Sequence, residues 1–561
     1  MKKYFPLLII IGIGTILRLW GLNFGLPYQF HQDEPIIVNH ALAYGTGDLN
    51  PHFFIIPPIA SYILFGCYII YFLAGSACGI FKGAESFALS FFNDPTIFYI
   101  IGRVVLGTLP GILCIYLTYR LAARLFSNRV AIYAAFVMAL AFLNVVNAHY
   151  AYTDNLLALF ILAAYLQLER LISDPRRMNY IIAGVLIGIA TATKYNAVLL
   201  GAPFLAAHFI RRRAPERASS AVPDLALFAA AAIATFIICN PYSVLDSRFF
   251  LESLTHRIRG GYRGLSYHLT YSLFEGLGVI PTILGVAGLV WFLKKDFKKA
   301  VFLLSFPAFF YIHLVFKSQP FPRYALPIIP FLAIGLSFLL FGSYEKIRTK
   351  ALKAAIVAAS LALIIPTTAK SIKADLLFTS KDTRIEAKEW IEKNIEAGTR
   401  IALAHTFFSP PLQQITEQLI EKEGIVSGQP ELKELKRRKL ELLIKGRKAP
   451  KTYRVYYLRG DNEAPGQFLN LWPMVENSMD DIKKNDIGYI VFNNMDPSEA
   501  IKGLHDEADG ILKVVAVFSP YKDDKFRLPY DTTELTCVPA GTRELFSRRA
   551  AGPYLVIYSA R

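Results

Sequence analysis

The strongest constraint on this chain is a succession of long apolar runs extending from Tyr4 to about residue 368. A helix needs about 20 predominantly apolar residues to cross the hydrocarbon core of a bilayer, because lipid satisfies none of its backbone polar groups. Candidate spans are 4–22, 57–81, 97–119, 130–147, 152–169, 179–193, 196–210, 224–240, 273–293, 300–316, 324–342 and 351–368. Only 18% of residues are charged, below the roughly 25% of soluble chains, and the charges concentrate outside these runs. The expected architecture is a polytopic α-helical membrane domain over residues 1–368, followed by a soluble α/β domain over 369–561. The first run, Tyr4 to Gly21, reads as a retained span, since it is too long for a signal core and lacks a small-residue cleavage site.

The net charge of +17 would suggest nucleic acid in a soluble protein. Here much of it lies in short loops between spans, where anionic inner-leaflet lipid is the expected partner and nucleic acid is not. Cys67, Cys78, Cys114 and Cys239 fall in apolar runs and only Cys537 in the soluble part, which leaves no disulfide framework and no metal-binding spacing.

Basic residues favour the cytoplasmic side. If 57–81 does not cross and 179–210 is two short helices turning at Lys194, eleven spans remain and the N-terminus is inside. The inner loops then hold twenty Lys and Arg, against nine in the outer segments and span mouths up to Arg323. The rival count, in which 57–81 crosses and 179–210 is one helix, moves the clusters at 120–129 and 170–177 outside. The first arrangement therefore predicts a juxtamembrane or re-entrant 57–81, begun by Pro57-Pro58, and an external C-terminal domain.

This topology gathers polar residues at one membrane face. His31-Gln32-Asp33-Glu34-Pro35 follows the first span. His149-Tyr150-Ala151-Tyr152-Thr153-Asp154-Asn155 joins two others, Lys194 caps a hairpin, and Lys317 with Arg323-Tyr324 flanks a later one. Carboxylates facing cations at one depth are costly to maintain in a membrane. A carboxylate can take the proton of an attacking hydroxyl, and fixed cations can stabilise a departing phosphate. The set suits group transfer from a lipid phosphate to a hydroxyl. Plainer roles are available to each residue. Asp33 and Asp154 can cap helices, Arg323 can anchor at the interface, Lys194 can snorkel to headgroups, and His31, His52 and His149 can be loop residues. A divalent metal could take oxygen ligands from Asp33, Glu34 and Asp154, though nothing in their spacing requires one.

Arg18-Leu19, Asp33-Glu34-Pro35, Gly47-Asp48-Leu49-Asn50-Pro51-His52 and Pro57-Pro58, followed by Thr193-Lys194, Arg323-Tyr324-Ala325-Leu326-Pro327 and Asp382-Thr383-Arg384, resemble the GT-C glycosyltransferases. The likeness is to bacterial members of the protein O-mannosyltransferase and aminoarabinose transferase group. The resemblance implies an enzyme that moves a sugar from a polyprenyl-phosphate donor to a lipid, glycan or protein acceptor at the outer face. It implies Asp33, Glu34 and Asp154 as the catalytic carboxylates. Arg323, Lys194, Lys317, Tyr324, Arg103 and His52 would contact the donor phosphate or lipid. It also implies two juxtamembrane helices in the first loop. Two departures matter: Ile56 stands where aminoarabinose transferases carry Lys before the Pro-Pro pair, and only a short loop from Pro241 to about Ser272 replaces the large luminal domain of eukaryotic mannosyltransferases.

In the C-terminal part the pattern predicts a helix from Asp382 or Thr383 through Asn394 and strands at Arg400–Ala404, Ile487–Phe492, Lys513–Phe518 and Tyr554–Tyr558. A densely charged stretch covers Glu417–Lys451, and there is no glycine-rich phosphate loop and no Cys–His cluster. The competing functional class is a transporter or flippase of lipid-linked sugars, which favours internal repeats and midplane sites; the sequence has no visible duplication.

Overall fold

The computed structural model describes residues 4–560 except 211–220, 256–263, 317–319, 405–406, 460–472, 496–497, 524–537 and most of 417–450. Among the described residues seven helices are long and apolar enough to cross a membrane: Ile59–Ala77, Thr96–Leu125, Asp154–Ser173, Val222–Cys239, Phe297–Val315, Pro322–Lys346 and Lys350–Asn394. An eighth results if Gly264–Leu277 and Val279–Lys295, bent by 105°, are one span. The chain is an integral membrane protein.

The expected count of eleven is not reached by length alone, for local reasons. The apolar helices Phe5–Leu19 (α1), Asn128–Leu140, Arg177–Thr193 and Tyr195–Ile210 are shorter. The run at 130–147 breaks at Ala141, whose extended ψ of 117° separates Asn128–Leu140 from Phe142–Asn147. The run at 179–210 breaks at Lys194, which is extended at φ −158°, ψ 125°. The division into two short helices is therefore observed.

Segment 57–81 forms the helix Ile59–Ala77 (α3), which by length and composition is among the seven. It lies against Glu34–Ala43 (α2), the first turns of the Thr96–Leu125 helix and the Arg177–Thr193 helix. The Tyr68 hydroxyl donates to the Phe98 carbonyl at 3.0 Å. Ala60, Leu64 and Tyr68 share an apolar cluster with Ile37, Val38, Phe98 and Tyr99, separate from the main core.

That main core joins α1, the 109–125 segment and the helices Asn128–Leu140, Asp154–Ser173 and Ile329–Phe341. Close approach is set by small residues. A Cβ on Gly107 would sit 2.6 Å from the carbonyl oxygens of both Ala148 and Tyr150, so only glycine lets the Thr96–Leu125 helix press against this connection.

The last long helix, Lys350–Thr379, is followed by the helix Thr383–Asn394 and then by a six-stranded sheet. Its strands are β1 (Arg400–Leu403), β2 (Arg454–Leu458), β3 (Met474–Val475), β4 (Tyr489–Asn493), β5 (Lys513–Phe518) and β6 (Leu555–Ser559), in the order β3-β2-β1-β4-β6-β5. The first four are parallel, and β6 is antiparallel to both β4 and β5. Four strands match the expected positions. β2 and β3 were not anticipated, because β3 has two residues and β2 has two successive half-buried tyrosines that break any alternation. The helix Thr383–Asn394 is present, with Asp382 accepting the Arg384 N–H at 2.9 Å as its cap. The charged stretch at Glu417–Lys451 lies outside the described residues apart from isolated positions.

Candidate functional site

Four helix ends meet at one end of the bundle. α1 finishes at Leu19, Asp154 begins one helix, Lys194 terminates another, and Arg323 opens the turn leading to Ile329–Phe341. Because a break or start at each position exposes backbone there, polar side chains accumulate at the same level.

The carboxylates of Asp33 and Asp154 hold the two cations. Arg323 Nη2 donates to Asp33 Oδ2 at 2.6 Å, and Arg323 Nε lies 3.6 Å from Asp154 Oδ2. Lys194 Nζ donates to Asp154 Oδ1 at 2.6 Å. Neither carboxylate accepts a capping hydrogen bond from its helix, so the capping role open to both in sequence is not the one adopted. Asp154, in the first turn of its helix, still gains from the favourable end of the helix dipole. The Tyr152 and Tyr324 rings lie beside the cations: Arg323 is 5.2 Å from the Tyr152 centroid and Lys194 4.8 Å from that of Tyr324. Asp33 is the most accessible of the four charged side chains, 22% exposed against 3% for Asp154.

Three candidates from the sequence are placed differently. Glu34 points inward as the first residue of α2 and forms a fully buried bidentate pair with Arg103, Nε to Oε1 and Nη2 to Oε2 both at 2.8 Å. Its Oε1 also accepts the Ala151 N–H at 2.8 Å. Arg103 Nη1 donates to the Leu22 and Phe24 carbonyls, and its guanidinium stacks 3.9 Å from the Phe24 ring. The pair is therefore a bolt between the first loop and the Thr96–Leu125 helix, with no exposed carboxylate oxygen for catalysis and a guanidinium too buried to meet a lipid phosphate. Adjacency to Asp33 in sequence suggested a shared role; successive residues at a helix start instead diverge. His52 is on an exposed loop and pairs with Asp48 at 2.9 Å, and Lys317 lies outside the described residues.

His31 packs its ring 4.2 Å from that of Tyr150, and its Nδ1 accepts the Asp33 backbone N–H at 3.3 Å. Burial lowers its pKa to about 3, which keeps it neutral beside the cations. The aromatic contribution of Tyr152 was not assigned from sequence, although its position two residues before Asp154 was a usable signal. Among the described residues no group of three or more His, Cys, Asp or Glu is arranged to hold a metal ion.

The C-terminal sheet region contacts the helical part near this site. The Gly541 N–H donates to the Tyr271 hydroxyl, and the Thr542 N–H donates to Glu275 Oε2. Lys370 Nζ donates to the Ala540 carbonyl and pairs with Glu275.

A family profile described as dolichyl-phosphate-mannose-protein mannosyltransferase matches residues 92–239. No curated protein matches the chain. Among solved structures, the chain is similar to ArnT from Cupriavidus metallidurans in the apo state, at 12% identity and a TM-score of 0.49, over 99% of this chain and 98% of that one. The same protein bound to undecaprenyl phosphate gives 12% and 0.49 over 98% and 97%. The Archaeoglobus fulgidus oligosaccharyltransferase tethered with an acceptor peptide gives 13% and 0.48 over 88% and 69%. Over residues 92–239, which contain Arg103, Asp154 and Lys194, the chain is thus similar in sequence to the dolichyl-phosphate-mannose-protein mannosyltransferases.

Proposed function

We propose that this protein is a glycosyltransferase that moves a sugar from a polyprenyl-phosphate donor to the hydroxyl of a lipid, glycan or protein acceptor. The observation that carries the reading is the Asp33–Arg323–Asp154–Lys194 cluster at the mouth of the helical bundle. Two carboxylates balance two cations, so an arriving lipid phosphate finds Arg323 and Lys194 already fixed in position and needing little reorganisation. By drawing Arg323 toward itself, the phosphate weakens the hold on Asp33.

The released Asp33 carboxylate takes the proton from the acceptor hydroxyl. The acceptor oxygen attacks the anomeric carbon, the bond from that carbon to the phosphate oxygen breaks, and the lipid phosphate departs with the electron pair. Arg323 and Lys194 stabilise the charge it gains. Direct displacement inverts the anomeric configuration. Asp154 keeps both cations oriented. The loop-charge bias supports an outward-facing site with α3 lying across its mouth, and the C-terminal domain would then be extracytoplasmic. A cluster at the bundle end favours transfer over transport, for which a midplane site is the usual design.

Membranes bearing wild type or Asp33→Asn, given a labelled undecaprenyl-phosphate sugar and candidate acceptors, test the assignment. Loss of a general base costs about 10²–10⁴-fold in rate, and equal transfer by both proteins would sink it. Translocation of the donor without transfer would favour the flippase reading.

A further inference from the structure

The first loop, residues 22–33, is gripped by two buried arginines from different parts of the molecule. Arg103, from the helical bundle, stacks on Phe24. Arg384, from the C-terminal domain, places its guanidinium carbon 3.6 Å from the centroid of Phe30. Arg384 is fully buried, and its fork is held by Asp382, with Nε to Oδ1 at 2.8 Å and Nη2 to Oδ2 at 2.7 Å. Its Nη1 donates to the Phe407 carbonyl, in the segment after β1, at 2.9 Å.

The Asp382 pair satisfies the charge within the C-terminal domain, yet the planar face reaches across to Phe30. The segment entering β6 presses on this pair: Gly552, at φ +92°, lies where a Cβ would come within 2.4 Å of Asp382 Oδ1, and Thr383 Oγ1 donates to the Pro553 carbonyl at 2.7 Å. A second cation from the same helix, Lys388, lies 5.6 Å from the Tyr28 ring. From Phe30 to Asp33 is only three residues, at most about 11 Å of chain, and both Phe30 and the intervening His31 are 4% exposed. A displacement of Phe30 therefore has little slack in which to dissipate before it reaches the Asp33–Arg323 pair.

We infer that Arg384 is a positioning residue: through Phe30 it fixes the loop carrying Asp33, so that the C-terminal domain sets the alignment of the candidate base with Arg323. The catalytic consequence rests on the glycosyltransferase reading above, and the structural consequence does not. Both are tested in full-length protein in nanodiscs, comparing wild type with Phe30→Leu, Arg384→Lys and the double variant. Two readouts are taken: transfer from labelled undecaprenyl-phosphate sugar, and maleimide labelling of a Gln32→Cys reporter in a background with all five native cysteines replaced by Ser.

Each single variant is expected to lower kcat about tenfold or more, since misplacement on the order of 1 Å can cost up to about 10²-fold. The donor KM and the melting temperature should stay near wild type. The double variant should be no worse than either single one, because both remove the same contact, and reporter labelling should accelerate in all three. Unchanged kcat with unchanged labelling, or losses that multiply in the double variant, would overturn the inference. If wild type transfers no sugar to any acceptor, the glycosyltransferase reading fails, and labelling alone decides: faster labelling upholds the positioning role and an unchanged rate overturns it.

Discussion

Replacing Glu34 with Gln tests whether the first-loop acidic pair is divided between structure and chemistry. In the native protein both Glu34 oxygens accept from Arg103 at 2.8 Å, one also accepts the Ala151 N–H, and neither side chain is exposed. Gln keeps one acceptor but turns an amide N–H₂ toward a guanidinium that offers only donors, and it leaves the Arg103 charge without a counterion. Removing one member of a buried ion pair costs about 3–5 kcal/mol, a large part of the roughly 5–15 kcal/mol that holds most folded domains. The assay is reversible unfolding by SDS titration in mixed micelles, with transfer activity measured in parallel. The double variant Glu34→Leu/Arg103→Met, which removes both charges, should lose less than the sum of its single variants, although the Leu22 and Phe24 carbonyls then lose their donor. An unfolding free energy for Glu34→Gln within about 0.5 kcal/mol of wild type, the range of a surface substitution, combined with lost transfer, would refute the structural role and return Glu34 to the catalytic pair.

Other predictions follow from the same geometry. Gly107→Ala should destabilise by about 1–3 kcal/mol through overpacking against two carbonyl oxygens, whereas helix propensity alone would stabilise it by up to about 1 kcal/mol; the sign of the change in SDS unfolding decides. His31, with a folded pKa of about 3 against 6.5 for the free side chain, contributes stability that is fully present above pH 6.5 and is lost as pH falls toward 3. The unfolding free energy of His31→Gln should accordingly decline less between pH 6.5 and pH 4 than that of wild type, and parallel curves would exclude this origin. Arg323→Gln should lower kcat by about 10²–10³-fold, as expected when a preorganised donor to developing charge is removed; steady-state transfer assays with saturating donor would expose a smaller loss.

Hydropathy and loop charge determined a great deal about this protein without any coordinates. The apolar runs require membrane-type helices, since a helix satisfies its own backbone groups where lipid offers no partners. Lys194 marked the break in 179–210, because a cation interrupting an apolar run seeks a boundary. Short apolar runs rich in β-branched and aromatic residues at Arg400, Ile487, Lys513 and Tyr554 located four of the six strands. Short or half-polar β2 and β3 carried too little periodicity to be seen. Only the tertiary structure decided how the polar residues are shared out. Asp33 and Glu34 are neighbours in sequence, yet α2 begins between them, and its first turn sends one carboxylate to Arg323 and the other to Arg103. The contact between Arg384 and Phe30 spans more than 350 residues. No local pattern encodes such a pairing, because it depends on how the last long helix seats the sheet against the end of the bundle.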